Sequence, residues 1–431
     1  MKTGDLLELR IEKAVYRGLG LARHEGCVVF VPRSYAGERV RARVDEVGRG
    51  YVRARLEALL EAAPARRSSP CRYAPRCGGC AHQDLGYDEQ LRVKEAILRE
   101  SLARARVPWD AEVPLRPSPE TGWRTRAELH LAWEAAGPRL GFHEEASHEL
   151  IDVEECLQLS PEMNRGARAL LAALAERGPL ARHVHGLELA ESSDGGELVA
   201  CLATSLAVRE AAALSALGDG IPRLTGLLAV AAEPGGGATV LLLKGEPFVH
   251  AQVGGLRLRA HQRSFFQANR FLLEPLAEMV LGLVPPGGPV LDLYSGVGLF
   301  ALPLAQRGDD VRAVEVSPLA VADAEANASA AGIRNVRFLA RDVETALRGL
   351  SRGSEERILL DPPRTGASRL AVRAIAARQP AAITYVSCDP PTVGRDLGLF
   401  AGMGYRLTAL HALDMFPDTF HVESVAQLER A

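Results

Sequence analysis

Strand-like and helix-like segments alternate from about residue 260 to the end of the chain. Short runs of apolar and β-branched residues precede segments whose apolar residues recur at helical spacing; the runs include PVLDLY, VRAVEV, VRFLA, RILL and AITYVS. This alternation predicts a doubly wound α/β domain. Ligands of such domains bind outside the carboxyl ends of the strands, so the residues that follow each run are the first candidates for chemistry.

A glycine turn follows the first of these runs, in VLDLYSGVGLFA. Gly296 and Gly298 allow a tight turn and a close backbone approach to a ligand before a helix begins. Glu315 ends the next run, where a carboxylate can accept hydrogen bonds from the hydroxyls of a ribose. The spacing Gly296-x-Gly298-x-x-Ala301 also matches the dinucleotide fingerprint, so this motif alone leaves NAD and S-adenosylmethionine both open.

Two further acids follow later strands. Asp342, in LARDVE, is placed to accept from an adenine amino group, and Asp361, in ILLDPPRTG, lies where a methyl-accepting substrate would bind. Amine-methylating enzymes often carry an aromatic residue at the fourth position of this motif, whereas this chain has Arg364, which disfavours N-methylation. A single such carboxylate is more often a helix N-cap or a surface partner. Several of them beside one glycine turn favour a nucleotide-type pocket.

Cys388 follows the run AITYV and precedes Asp-Pro-Pro, which ends the strand and leaves the thiol at the same edge as Asp361. A free cysteine is more often a small core residue than a nucleophile. Methylation of a pyrimidine at C5, however, needs a thiolate, because its addition to C6 gives C5 carbanion character. A base must then remove the C5 proton, and DMFPDTFHVESV offers Glu423, with His421 as the lesser candidate.

The seven cysteines occur in a chain whose first residues, MKTGDLLELRIEK, lack the apolar stretch of a signal peptide. We therefore expect a cytoplasmic protein, in which metal binding or catalysis is a better interpretation than disulfide formation. The spacing Cys71-x5-Cys77-x2-Cys80 supplies three ligands, and Cys156 is the candidate for the fourth. Four thiolates suit an iron–sulfur cluster or a zinc ion.

Residues 5–60 alternate apolar and polar positions between turns that carry Gly or Pro, which predicts a small β-barrel. Residues 1–80 contain 16 Lys or Arg against 9 Asp or Glu, although the net charge of the whole chain is −3, so a local basic surface is expected. The arginines available to bind phosphates are Arg39, Arg41, Arg43, Arg49, Arg53 and Arg55.

The changes in sequence pattern predict three domains. They are a β-barrel with the candidate phosphate-binding arginines over residues 1–60, a central domain with the cysteine cluster over 61–255, and the α/β domain over 256–431. A helix at about 87–105 belongs to the central range in sequence but is free to pack on the catalytic domain. The apolar runs fall short of the ~18 residues that span a membrane, and no feature indicates an obligate protein partner.

The motifs SFFQAN, DLYSGVG, DPPRTG, SCDP and DMFPDTFHVE, preceded by CRYAPRCGGCAHQ, closely resemble those of the RNA uracil-5-methyltransferase family. They are most similar to its iron–sulfur branch, which acts on 23S ribosomal RNA, and the resemblance covers nearly the whole chain. It implies a multidomain α/β protein with an N-terminal TRAM-type barrel, a central α+β domain with a metal-cluster loop, and a C-terminal Rossmann-like methyltransferase domain.

The resemblance also assigns roles to individual residues. It implies that Cys388 is the nucleophile and Glu423 the base. It implies a [4Fe–4S] cluster held by the four cysteines, with zinc as the chemical alternative. Ser295 and Leu299 depart from the family, which often has Cys and a polar residue there, so no cofactor contact is assigned to Leu299. The residues expected to bind the cofactor and the uracil are Gln267, Tyr294, Gly296, Glu315, Asp342 and Asp361.

The expected function is S-adenosylmethionine-dependent methylation of C5 of a specific uridine, in ribosomal rather than transfer RNA. Cytosine-5 RNA methyltransferases typically use a second cysteine in the Asp-Pro-Pro loop, and residues 361–364 contain none, which favours uracil. Three alternatives stay open: a T-loop methyltransferase of transfer RNA, an NAD-dependent dehydrogenase, and a non-catalytic RNA-binding protein. Neither of the last two has a use for Cys388.

Overall fold

The computed structural model describes residues 1–74, 76–145, 147–233, 237–353 and 355–431. Within these ranges the strands form sheets of six, seven and eight strands and a separate two-stranded hairpin. None of the helices in the described part of the chain is long and apolar enough to cross a membrane.

The first sheet lies within residues 6–61. Inward and outward residues alternate along its strands, and the inward side chains, such as Leu7, Leu9 and Val40, form one apolar core. Its strands are β1 (Leu6–Arg10), β2 (Lys13–Val15), β3 (Leu19–His24), β4 (Cys27–Pro32), β5 (Arg39–Val47) and β6 (Tyr51–Glu61). They are hydrogen-bonded in the order β1-β5-β6-β4-β3-β2.

A helix and the second sheet follow. The elements are α1 (Tyr87–Arg104), β7 (Leu115–Arg116), β8 (Arg126–Glu134), β9 (Gly137–His143), β10 (Leu150–Asp152), α2 (Pro161–Ala175), β11 (Val184–Glu191), β12 (Leu198–Ala207), α3 (Val208–Ala211), β13 (Leu224–Ala232) and β14 (Ala238–Gly245). The second sheet has the order β10-β9-β8-β11-β12-β13-β14 and is antiparallel except between β12 and β13. Helix α2 begins at Pro161, where the Ser160 side chain accepts from Met163 N, and packs its apolar face on this sheet.

The hairpin leads into the third sheet. The elements are β15 (Phe248–Val253), β16 (Leu256–His261), α4 (Leu273–Leu283), β17 (Pro289–Leu293), α5 (Ala301–Gln306), β18 (Asp310–Glu315), α6 (Pro318–Ala330), β19 (Val336–Ala340), α7 (Val343–Gly349), β20 (Arg357–Leu360), α8 (Arg369–Ala377), β21 (Ala382–Ser387), α9 (Pro390–Ala401), β22 (Tyr405–Leu413) and β23 (Glu423–Arg430). Alternate strand residues enter different cores: Val290 joins the core beneath α4 to α6, and Leu291 joins the core beneath α8 and α9.

The third sheet confirms the doubly wound α/β expectation. Its order is β19-β18-β17-β20-β21-β23-β22-β7, and the strands from β19 to β21 run parallel. The chain moves outward from β17 through β18 and β19, then returns to the other side of β17 with β20. This reversal creates a crevice at the carboxyl ends of β17 and β20, which is where such sheets bind ligands.

Residues 87–116 pack on the third sheet although they precede the second sheet in sequence. Strand β7 pairs with β22 at the edge, and α1 lies against α9. The two helices approach closely at Gly394 of α9. A Cβ atom there would lie only 2.5 Å from the backbone oxygen of Ser101 in α1. The sheet is thus completed by a segment that the sequence places in the central range.

Candidate active site

Strand register places Cys388 beside Glu423. Ser387, the last residue of β21, pairs with Ser424 of the antiparallel strand β23, and Ser424 Oγ donates to Ser387 O at 3.1 Å. Cys388 is one residue beyond this pair and Glu423 is one residue before it, so the two face each other where the ladder ends. The thiol is half-buried, and Glu423 is only 1% exposed.

Asp361 and Gln267 complete this part of the crevice. Asp361 directly follows β20, and Gln267 Nε2, from the segment between β16 and α4, donates to Asp361 Oδ2 at 3.2 Å. Burial raises the pKa of Asp361 to about 7, although the hydrogen bond from Gln267 opposes this shift. The carboxyl can therefore exchange a proton near neutral pH.

The crevice disfavours negative charge. Burial, followed by the charges of Glu423 and Asp361, raises the pKa of the Cys388 thiol to about 12, and Arg364 opposes the shift. Burial and the charge of Asp361 also raise the pKa of Glu423 well above its ordinary value. Glu423 Oε1 has no hydrogen-bond partner among the described residues. Burial and the neighbouring acids therefore favour the neutral forms of both groups.

His421, the lesser candidate for the base, lies at the same loop. Burial and the positive charge of Arg364 lower the pKa of His421 to about 4, while a hydrogen bond with the Cys388 backbone opposes the shift. The imidazole is thus neutral near pH 7. The ring therefore contacts the backbone of Cys388 in its neutral form.

The glycine turn forms beside β17 and β18. Tyr294 and Gly296 have left-handed backbone conformations, with φ of 63° and 54°. The Glu315 carboxylate accepts from Gly296 N at 3.1 Å and from Ser317 N at 2.8 Å. Glu315 therefore holds the turn at the end of β18. Asp292, completely buried in β17, has a pKa raised well above its ordinary value by burial and then by Asp361.

Asp342 follows β19, which pairs with β18 and so with the strand that ends at Glu315. It is exposed at the end of β19, and its Oδ1 atom accepts from Thr345 N at 2.8 Å to cap α7. Hydrogen bonding to Thr345 lowers the pKa of Asp342. The structure thus shows the capping role for this carboxylate, at the sheet edge where the sequence places it.

The four cysteines expected to hold a metal line one cavity. Cys71, Cys77, Cys80 and Cys156 surround about 270 Å³, together with apolar side chains such as Trp123. Burial is the main cause that raises the pKa of Cys156 to about 11, and it also raises the pKa of Cys80. Within the described ranges, no three His, Cys, Asp or Glu side chains are already arranged to hold a metal ion.

Asp418 joins the cysteine segment, residues 71–83, to the loop between β22 and β23 that leads to Glu423. Its backbone oxygen accepts from Ala81 N at 2.8 Å and from His82 N at 2.9 Å. Its carboxylate accepts from the side-chain amides of Gln83, Gln90 and Gln158 at 3.0, 2.9 and 3.0 Å. This role was not predicted, because no local sequence pattern around Asp418 indicates it.

The arginines proposed for phosphate binding face outward on the first sheet, but most are paired with carboxylates. The pairs are Arg39–Glu61, Arg41–Glu8, Arg43–Glu57, Arg53–Glu46 and Arg55–Asp45. This surface therefore presents charges of both signs, within a segment where Lys and Arg outnumber Asp and Glu.

The fold and the crevice together define a class of protein. Strand β23 is antiparallel and lies between β21 and β22, which departs from the 3-2-1-4-5-6 order of dinucleotide-binding sheets. The Cys388 thiol faces the Glu423 carboxyl at the ends of β21 and β23, next to the crevice. Together with the glycine turn after β17, this sheet order is that of a methyltransferase fold.

Comparison with known proteins identifies the family. The model of the family described as tRNA (Uracil-5-)-methyltransferase matches residues 86–431, and the model of the TRAM domain matches residues 2–56. The chain belongs to the tRNA (Uracil-5-)-methyltransferase family. It is an S-adenosylmethionine-dependent enzyme that methylates uracil in RNA, which excludes the dehydrogenase and the non-catalytic alternatives.

Full-length relatives support this assignment. The chain is 36% identical to the 23S rRNA (uracil(1939)-C(5))-methyltransferase RlmD of Pseudomonas putida, with 99% of this chain and 94% of the relative covered. It is 33% identical to an RNA methyltransferase of Aquifex aeolicus, with 98% of each chain covered. The crystal structure of the Pyrococcus abyssi tRNA (uracil-54, C5)-methyltransferase with S-adenosyl-L-homocysteine matches with a TM-score of 0.77 and 26% identity, over 98% of this chain and 100% of that chain.

Proposed function

We propose that this enzyme methylates C5 of a specific uridine in 23S ribosomal RNA, with Cys388 as the nucleophile and Glu423 as the base. The observation that carries the residue assignment is the register of β21 and β23, which brings this thiol and this carboxyl together at the crevice. The 36% identical relative from Pseudomonas putida, which bears a 23S rRNA name, supports ribosomal RNA as the substrate.

The reaction begins at the sulfur of Cys388. As the thiol loses its proton, Sγ forms a bond to C6 of the uracil, and the C5–C6 π electrons move toward the C4 carbonyl oxygen. The Asp361 carboxyl adjoins the thiol and has a pKa of about 7, so we assign it as the acceptor of the thiol proton, which leaves Glu423 free for the proton of C5. C5 then has the carbanion character that a methyl acceptor needs.

When bound, S-adenosylmethionine supplies an electrophilic sulfonium methyl group. We assign its binding, and that of the uracil, to Gln267, Tyr294, Gly296, Glu315, Asp342 and Asp361. Glu423 then removes the proton from C5, the C5–C6 double bond reforms, and the C6–Sγ bond breaks to return the thiolate. Because the crevice is poorly solvated, water competes weakly for these proton transfers.

We also propose that Cys71, Cys77, Cys80 and Cys156 hold a [4Fe–4S] cluster, with zinc as the alternative. The donor set fits: four thiols line one cavity, and a cationic metal centre would offset the burial that disfavours their ionised forms. The group would supply no redox step. It would hold the cysteine segment in place, and Asp418 joins that segment to the loop that leads to Glu423. Anaerobic purification followed by metal analysis tests this, since about four irons per chain indicate the cluster and about one zinc the alternative.

The TRAM domain is proposed to bind the RNA backbone in a salt-dependent way. Its paired arginines can exchange their carboxylate partners for phosphates, and the affinity should then fall as the salt concentration rises. In this proposal residues 1–60 hold the RNA, residues 61–255 carry the cysteine site, and residues 256–431 perform the reaction.

The function is tested by tritium release from [5-³H]uridine-labelled RNA incubated with S-adenosylmethionine. We expect release from 23S ribosomal RNA with the wild type and none with Cys388→Ala. Cys27→Ala, which changes a half-buried thiol on the first sheet, is the matched control and should release tritium as the wild type does. Release with Cys388→Ala at the wild-type rate would refute the nucleophile, and release only from transfer RNA would replace the ribosomal substrate by the T-loop alternative.

A further inference from the structure

The turn between β2 and β3 inserts the TRAM domain into the catalytic region. On one side, Lys13 Nζ lies 2.7 Å from the Glu100 carboxylate of α1. On the other, Gly18 packs against the cysteine segment, since a Cβ atom at Gly18 would lie 2.5 Å from Ala81 Cβ. Gly18 also has a φ of 70°, so a larger residue would be strained there. The turn therefore has a fixed position on the catalytic region.

Tyr16 is the first residue of this turn, and its side chain contacts the segments next to Cys388 and Glu423. Its hydroxyl donates a hydrogen bond to Asp389 Oδ2, next to Cys388 in the chain. Its ring packs edge-on against Phe420, with 5.2 Å between the ring centroids and an interplanar angle of 84°. Phe420 in turn lies against His421, at 4.4 Å between centroids, in the loop that leads to Glu423. One side chain of the TRAM domain thus touches the supports of both reacting groups.

Asp389 is held at both carboxylate oxygens. Oδ1 accepts from Thr392 N at 2.9 Å and caps α9, while Oδ2 accepts from Tyr16. The backbone nitrogen of Asp389 also donates to Ser387 Oγ at 3.3 Å. Because Cys388 lies between Ser387 and Asp389, these contacts fix the direction in which the thiol projects.

We infer that Tyr16 is a positioning residue for methyl transfer, so that the TRAM domain completes the active site in addition to binding RNA. This inference rests on the proposed role of Cys388. It follows that loss of the Tyr16 hydroxyl lowers the rate of the chemical step and leaves the affinity for RNA unchanged. A residue that served only to bind RNA would show the opposite pattern.

The hydrogen bond also affects the charge around the thiol. The groups that face Cys388 are the carboxyls of Glu423, Asp361 and Asp389, the guanidinium of Arg364, and the neutral ring of His421. Donation from Tyr16 withdraws negative charge from the Asp389 carboxylate. Without that donor the carboxylate repels the thiolate more strongly, so less of Cys388 is ionised at a given pH.

The test compares Tyr16→Phe with Tyr51→Phe. Tyr51 lies on the same domain, and its hydroxyl donates to the Glu46 carboxylate at 3.3 Å on an exposed face. Tyr51→Phe therefore removes a hydrogen bond of the same kind that involves no residue of the crevice. The measurements are kcat and KM for tritium release from 23S ribosomal RNA, and the rate at which iodoacetamide alkylates Cys388 at about pH 8, followed by peptide mass. Melting temperatures show whether either variant is unfolded.

We expect Tyr16→Phe to lower kcat by about tenfold or more, with KM within about twofold of the wild type, and to slow alkylation of Cys388. Tyr51→Phe should leave all three values unchanged. An unchanged kcat, a raised KM alone, or alkylation no slower than in the wild type would each overturn the inference. Failure of the proposed function would look different, since the wild type itself would then release no tritium or Cys388→Ala would still release it.

Asp389→Asn provides a second test that does not depend on the folding of one variant. Asn can still cap α9, because its side-chain oxygen can accept from Thr392 N. Its neutral amide, however, no longer offers Tyr16 a charged acceptor. We therefore expect Tyr16→Phe to lower kcat by less than about twofold in the Asp389→Asn background. An equal loss of kcat in both backgrounds would show that Tyr16 does not act through Asp389.

Discussion

Lys94 and Asp414 form a buried ion pair, and its loss should destabilise the loop of residues 414–422 that leads to Glu423. Lys94 Nζ, on α1, lies 2.5 Å from Asp414 Oδ1 and 3.0 Å from the backbone oxygen of Phe416, and both charged side chains are completely buried. In Lys94→Met the carboxylate would remain buried without its partner. Breaking a pair of this kind costs about 3–5 kcal/mol, whereas replacing both members by apolar residues is often neutral.

The assay is hydrogen exchange of the backbone amides in residues 414–422, because the unfolding of a chain with several sheets need not be a single transition. A loss of about 3–5 kcal/mol should speed exchange there by about 10²- to 4 × 10³-fold. Lys94→Met/Asp414→Leu should bring exchange back to within about tenfold of the wild type. Lys244→Met, which removes an exposed partner of Asp219, is the matched control and should change exchange by less than about fivefold. The reasoning fails if the single variant exchanges like the wild type, or if the double variant exchanges no more slowly than the single one.

Three further outcomes follow from the site. Glu423→Gln should leave the C5 proton in place, so a protein–RNA adduct through Cys388 should persist on a denaturing gel; an adduct no more abundant than with wild type would contradict the base assignment. The alkylation rate of Cys388 should rise by about tenfold per unit between about pH 7 and 10, because its raised pKa lies above that window and the thiolate fraction still grows; a rate that levels off between about pH 9 and 10 would show an ordinary pKa, and an earlier plateau a lowered one. Asp418→Asn introduces a residue that tolerates the φ of 62°, but its NH₂ group faces some of the amide donors that the carboxylate accepts from. Hydrogen exchange at residues 81–83 and 418–422 should therefore speed up by about tenfold, and faster exchange in only one of these segments would refute the link between them.

The parts of the site that follow apolar runs were accessible from the sequence. Glu315, Asp361 and Cys388 each come directly after or at the end of such a run, and each lies at the carboxyl edge of the third sheet. Local periodicity defines a strand, and the rules for parallel sheets then place its end in the crevice. The tRNA (Uracil-5-)-methyltransferase family and the TRAM domain were also correctly expected from the motifs.

Long-range partners were not accessible in this way. The contacts Lys94–Asp414, Gln90–Asp418 and Tyr16–Asp389 join residues that are 320, 328 and 373 positions apart. Nothing local to Lys94 distinguishes it from a solvated helix lysine, because its burial depends on α1 packing against a loop near the other end of the chain. The charge count of the first 80 residues is incomplete for a related reason. It does not register that outward arginines of β5 and β6 lie opposite carboxylates of neighbouring strands.

The buried contacts explain how such an unfavourable set of acids persists. Asp292, Asp361 and Glu423 all have a raised pKa because of burial, so their ionised forms are less favourable in the crevice than in water. A mobile loop would relieve this by moving Glu423 toward solvent. The loop is held instead by Lys94 at Asp414, by the amide of Asn269 at Met415 O, and by the amide donors at Asp418, none of which contacts Glu423. Stabilising contacts outside the crevice thus keep the carboxyl facing Cys388, so the geometry of this pair depends on residues that belong to neither partner.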